Sequence, residues 1–251
     1  MRIAVPALAL FLAVPALAQD LDDPYRWLED VEGDSALAWV EARNRATLDH
    51  LQAGPEYGPL YDRALELLTT HDRIAYPSLR GGEIHNVWTD DDNPRGLWRR
   101  ASWESYLSGE PEWVTVLDVD ALAAAEDVNW AYGGSVCLPP DDRLCLVRLS
   151  RGGADAVEVR EFDAAAGRFV EGGFRLPEAK TSVAWVDRDT LLVATADGPG
   201  STTASGYPRV VRRWTRGTPL SEAEVIFEAG PDDVSAQVGV FRRGDRSVPV
   251  V

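Results

Sequence analysis

From about Ile74 onward the chain consists of short apolar or alternating runs separated by clusters of Gly, Pro and Asp, the spacing of an all-β domain. Runs that read as strands cover 84–88, 96–100, 113–117, 129–132, 136–138, 144–149 and 156–162, then 183–186, 190–194, 208–214 and 224–227. The breaks between them have turn chemistry: 90–94, 139–142, 151–153, 166–167, 187–189 and 197–200. Residues 118–125 are Ala-rich and read as a helical turn. Strands recur in groups of about four, which suits propeller blades of ~40–45 residues, so 76–251 would hold about four blades. A β-sandwich has the same strand spacing and stays open at this point.

Before this region the periodicity is helical. Leu37, Val40, Asn44, Leu48 and Leu51 recur at steps of three and four, with Gly33 or Asp34 at the N-cap. Pro24 keeps its predecessor extended, so Tyr25, Trp27 and Leu28 are expected to lie as an apolar strap ahead of the helix. Gly54-Pro55 ends the pattern, and Leu60, Ala64, Leu67 and Leu68 predict a second helix over 56–70. Residues 1–18 read as a secretory signal peptide, with Arg2 ahead of an apolar run and Ala16-Leu17-Ala18 as the cleavage site. That run is shorter than the ~20 residues that span a bilayer and carries Pro6 and Pro15. An exported protein, periplasmic or secreted and without a membrane anchor after cleavage, is the expectation, with a helical segment over 19–75.

Forty-one acidic residues against twenty-five basic ones give a net charge of −16. Such a balance argues against nucleic acid or an anionic membrane surface as partner. Lys180 is the only lysine, so nearly all positive charge is arginine.

The segment Asp23-Pro-Tyr-Arg-Trp-Leu-Glu-Asp30, followed by a helix carrying Trp39-Val40 and Asn44, closely resembles the amino-terminal segment of the prolyl oligopeptidase family of serine peptidases. Residues 94–100, 149–155 and 198–209 resemble propeller segments of bacterial members. The likeness covers about 23–232, and 237–251 is expected to be atypical. In that family a seven-bladed propeller is inserted after the amino-terminal segment and precedes an α/β-hydrolase domain. The resemblance therefore implies a mainly β fold: a partial seven-bladed β-propeller preceded by helices, with the catalytic domain absent from this chain. It also implies cleavage of short peptides after proline by a Ser–Asp–His triad, access gated by the propeller, and no cofactor. The missing catalytic domain becomes the natural packing partner of the helical segment.

The chemistry of such a hydrolase needs a serine on a sharp strand-to-helix turn, marked by G-x-S-x-G. Ser35 in Gly33–Leu37 and Ser135 in Gly133–Cys137 each lack the final glycine, so no catalytic residue is expected in this chain and it should not hydrolyse peptides alone. His50, His71 and His85 have no metal-ligand spacing and read as structural. The cluster 90–93 lacks the alternation of a calcium loop and reads as a solvated turn. Cys137 and Cys145 flank 139–143; a hairpin loop centred on Asp141 would place them opposite each other, as a disulfide or as two buried thiols. The nine tryptophans read as core rather than as a stacking surface. A non-catalytic exported propeller-type module that binds peptide or protein, or a non-functional fragment, is the alternative.

Overall fold

The computed structural model describes residues 23–70, 74–243 and 246–251, so residues 1–18, read above as a signal peptide, and His71 lie outside the described residues. The chain divides into two compact units, with the division between Leu68 and Thr69.

The first unit is helical. A 3₁₀ turn at Arg26–Glu29 precedes α1 (Asp34–Gln52), whose N-cap is Gly33, and α2 (Tyr57–Leu68) follows. The aromatic strap takes the form of this 3₁₀ turn, and it packs on α1. The Trp27 ring meets Trp39 edge-on at 6.3 Å, Tyr25 lies 6.5 Å from the same ring, and the Trp27 indole donates to the Pro24 carbonyl. The helical stripe remains on the surface: Leu37, Val40, Leu48 and Leu51 are all exposed, as are Leu60, Leu67 and Leu68 of α2.

The second unit is built from antiparallel meanders. β1 (Ser78–Arg80), β2 (Glu83–Trp88), β3 (Leu97–Ala101) and β4 (Val114–Asp118) form the first sheet in chain order, with α3 (Trp103–Leu107) between the last two strands. α4 (Val119–Glu126) leads to the second sheet, which comprises β5 (Trp130–Cys137), β6 (Leu144–Arg151), β7 (Val157–Asp163), β8 (Arg168–Phe169) and β9 (Arg175–Ala179). Both β8 and β9 pair with β7. The third sheet runs β10 (Thr181–Asp187), β11 (Thr190–Thr195), β12 (Val210–Thr215) and β13 (Glu224–Glu228). A two-stranded ladder, β14 (Gly239–Arg243) with β15 (Arg246–Val250), follows. Three sheets and this ladder stand where about four blades were expected, and the atypical tail carries both strands of the ladder.

Each sheet packs on the next in chain order, which distinguishes a propeller from a sandwich. Trp98, Val116 and Val119 meet Trp130, Cys145, Val147, Leu149 and Phe162 across the first seam. Leu146, Val159 and Leu176 meet Val183, Trp185, Leu191 and Val193 across the second. Ala194 and Val211 pack with Ala229, Ala236 and Val238 beyond the third sheet. The first strands β5, β10 and β14 adjoin one another, so they line the hub side of the stack.

Two expected strands, 129–132 and 136–138, are one strand interrupted by a bulge. The register with β6 shifts between Tyr132 and Ser135, where Gly133 and Gly134 sit, and Gly134 has φ 94°. α3 escaped the sequence reading because it is a single turn; Ser102 caps it, accepting from the Ser105 amide at 3.1 Å.

A buried charge clamp joins the second and third sheets. Arg216, just after β12, donates to both carboxylate oxygens of Glu161 on β7 at 2.7 and 3.0 Å, and to Asp189 at 2.9 Å. Glu161 also accepts from the Phe174 amide at 2.8 Å. The Glu161 carboxylate holds the Arg216 guanidinium above its ordinary pKa. Arg216→Ala would strand a buried carboxylate, and urea denaturation should show a loss of about 3–5 kcal/mol; Arg213→Ala, whose ion pair with Glu224 is exposed, should cost less than about 1 kcal/mol.

Candidate functional site

The polar groups of the second unit gather where sheets meet. On the first seam, β1 delivers Arg80 and β5 delivers Tyr132, Ser135 and Cys137. Arg80 Nη1 donates to Ser135 Oγ at 2.7 Å and approaches Cys137 Sγ at 3.5 Å, and the Tyr132 hydroxyl reaches Ser135 Oγ at 2.9 Å. Behind them His85 is 5% exposed, and its Nδ1 accepts from the Trp98 indole at 3.0 Å. Burial, the positive charge of Arg80 and that of Arg100 lower the His85 pKa to about 4 against the opposing pull of Glu83. The imidazole is therefore neutral at neutral pH, as an acceptor for an indole must be. Burial likewise pushes the Tyr132 phenol up.

None of this is a nucleophile with its base. Ser135 is engaged by Arg80 and Tyr132, Ser35 is exposed on α1, and the only serine bonded to His85 is Ser78, through the His85 backbone carbonyl. Among the described residues no hydrogen bond joins a serine hydroxyl to a histidine ring nitrogen.

Cys137 and Cys145 are Cα partners on β5 and β6, 3.9 Å apart, and are joined as a disulfide. The loop between them closes as an odd-numbered turn, with the Leu138 amide bonded to the Leu144 carbonyl. His50 lies in the last turn of α1 and His85 on β2, well separated in the sequence and in different units, and the described residues contain no metal-ligating cluster. In the acidic turn, Asp90 accepts from the Asn93 amide, the Asn93 side chain, the Asp92 amide and the Trp88 indole. The hydrogen bond from the Asn93 side chain, foremost, holds the Asp90 pKa below the ordinary carboxylate range. Its lone pairs are committed to protein donors, as befits a turn. Trp98, Trp130, Trp185 and Trp214 are core, whereas Trp88 and Trp113 flank the Arg99 guanidinium at 4.5 and 4.4 Å.

Two cavities open between the second and third sheets, at opposite ends of the strands. The larger, about 560 Å³, is lined by residues including Arg143, Glu161, Asp163, Asp189 and Arg216. Two of its three arginines are matched: Arg143 forks onto Asp163 at 2.7–3.1 Å and Arg216 onto Glu161, while Arg188 is exposed to solvent. The smaller, about 330 Å³, is lined by Arg148, Lys180, Tyr207 and the segment 235–238 among others. Sequence reading missed Arg148, Glu161 and Arg216, since a charged residue in a strand or the turn after one reads as solvent-facing; the one local signal was the Gly133-Gly134 pair.

The family model for the prolyl oligopeptidase N-terminal β-propeller domain matches residues 17–247. The chain belongs to the prolyl oligopeptidase family. The prolyl oligopeptidase match reaches into the tail, beyond the 23–232 of the sequence likeness. An uncharacterized peptidase of Sinorhizobium fredii is 50% identical over 226 residues, covering 90% of this chain and 31% of the relative. One from Rickettsia prowazekii is 32% identical over 212 residues, covering 81% of this chain and 29% of its own. Among solved structures, a post-proline cleaving enzyme from Rickettsia typhi matches with a TM-score of 0.75 and 30% identity, over 85% of this chain and 32% of that one. The chain thus spans about a third of the length of these relatives.

Two measurements follow from this geometry. Between pH 6.5 and about 4 the unfolded chain protonates His85 while the folded chain does not, so stability falls as pH drops through that window and this contribution levels off below it. The slope approaches about 1.4 kcal/mol per pH unit for this one proton. Urea midpoints across pH 4–7 should show it, and His85→Gln should flatten it. Thiol titration of the denatured, unreduced protein should find no free thiol, and two after reduction.

Proposed function

We propose that this chain is the propeller region of an exported serine peptidase that hydrolyses short peptides after proline, the propeller restricting entry of folded or long substrates. The observation that carries this reading is the 30% identity and TM-score of 0.75 with the Rickettsia typhi enzyme described as post-proline cleaving. The partners are short proline-containing peptides and a hydrolase domain that supplies the Ser–Asp–His triad and covers the exposed apolar stripe of α1 and α2. The net charge of −16 disfavours nucleic acid and an anionic membrane surface as partners; no helix among the described residues is long and apolar enough to cross a bilayer. Export rests on the leader-like residues 1–18. This chain's own contribution is steric, because closed, densely packed sheets block a path more reliably than a mobile loop.

The test is a chimera. This chain would replace its counterpart in the Sinorhizobium fredii peptidase, with the intact relative and this chain alone assayed beside it on chromogenic peptides. Chimera and relative are expected to cleave succinyl-Gly-Pro-p-nitroanilide at least about tenfold faster than the alanine and arginine analogues, and to spare a folded or 40-residue substrate. This chain alone should release no chromophore. Cleavage of long and short substrates at similar rates, or no preference for proline in a folded chimera, would overturn the reading.

A further inference from the structure

We infer that Arg148 is the anchor of a binding site for a carboxylate ligand, in the cavity of about 330 Å³ at the end of the sheets where β10 begins.

Arg148 projects from β6, one strand in from the hub side. Its Nε is sealed from solvent without a hydrogen-bond partner, and the guanidinium makes no hydrogen bond or ion pair among the described residues. The comparable arginines of this unit have a carboxylate beside them: Arg143 has Asp163, Arg151 Glu178, Arg160 Glu126 and Glu158, and Arg216 Glu161, while Arg212, whose Nη1 also makes no hydrogen bond, still has the Asp197 carboxylate at 3.0 Å. Arg148 is half-buried, so the desolvation cost falls on the sealed Nε edge, and the neutralisation open to lysine or histidine is closed to a guanidinium.

The backbone beside Arg148 is shaped to receive it. The bulge in β5 places Gly133 and Gly134 against the side chain, and a Cβ on Gly134 would stand 2.8 Å from Arg148 Nη2. The guanidinium thus occupies space that the diglycine leaves open, and its free edge lines the cavity.

The rest of the lining sets the ligand's charge and kind. Lys180 is paired with Asp155 at 3.3 Å and lies 4.0 Å from the Tyr207 ring centroid, while Tyr207 donates to the same carboxylate at 2.9 Å. Asp155 is thereby engaged at the rim by a cation and a phenol, so the two cations of the cavity face one carboxylate and one positive charge remains unmatched. Ser182 Oγ accepts from the Val238 amide at 3.1 Å, which leaves its hydroxyl proton to donate elsewhere. A planar fork with one extra positive charge and hydroxyl donors nearby is the pattern that takes a carboxylate bidentately. A peptide's terminal carboxylate and an aspartyl side chain share this chemistry. The inference does not depend on the peptidase reading, since it concerns binding by this chain alone.

The test is calorimetric titration of the chain at fixed chloride with N-acetyl-Ala-Ala bearing a free carboxylate, the same dipeptide as its amide, and N-acetyl-Asp amide. The free acid is expected to bind one to one and the amide at least about tenfold more weakly. Arg148→Met should abolish the difference, and Arg148→Lys should retain part of it. Arg148→Met should also melt at or above the parent's temperature, because it removes an uncompensated charge. Aspartyl amide binding that Arg148→Met abolishes would keep the carboxylate site and assign it to side chains. Equal binding of acid and amide, unchanged binding in Arg148→Met, or no binding by any carboxylate would overturn the inference.

Discussion

Burial of the second strand of a sheet on both of its faces is the constraint from which the rest of this architecture follows. In β6, Cys145, Leu146 and Val147 are all 0% exposed, as are Leu191 to Ala194 in β11. Successive side chains of a strand point to opposite faces, so such a strand cannot belong to a sheet with one wet side. Cys145 and Val147 face the first sheet and Leu146 the third; Leu191 and Val193 face the second sheet, and Ala194 the ladder side. Each sheet is covered only when its neighbours in the chain are in place. Stability then accrues seam by seam, much as in stacked repeats.

Apolar faces alone would let neighbouring sheets slide, since dispersion contacts are not directional. The seams carry polar groups that have one good arrangement. Arg216 must meet Glu161 with both nitrogens, and Arg80 must reach Ser135 across the first seam. Arg160 ties Glu126 at the end of α4 to Glu158 within the second sheet, beneath the Trp130 ring. Neutral His85 lets Trp98 bury its indole without an orphaned donor. Each such group is costly when unmatched and inexpensive when matched, so it selects a register more than it adds stability.

Those two layers differ in how plainly the sequence displays them. Doubly buried strands are largely apolar runs, and 144–149, interrupted only by Arg148, and 190–194 were legible because nothing else of that length fits between turn signals. β1, β8 and β9 were not, because they are short, largely polar edge strands with no apolar run to mark them. β9 even carries Pro177, which local rules read as a break. The opposition of Cys137 and Cys145 was legible because an odd-numbered loop fixes the register of the strands it joins. Arg216 and Glu161 were invisible for the opposite reason: they lie 55 positions apart and meet only when two blades stack.

The same reasoning distinguishes Arg148 from the other arginines. Arginine is so frequent here that its presence carries little information, and a guanidinium on an alternating strand is expected to face water. What carries information is the coincidence of departures from local rules at one place. β5 breaks its register, it does so with two glycines where a strand prefers side chains, and the space released is filled by a cation with no counter-charge. Any one of these would be an ordinary blemish. Together they lower the cost of holding an unpaired guanidinium at the edge of a cavity, and none of them improves the packing of the seam. Departures that agree with each other and oppose stability belong to a binding site more naturally than to a core.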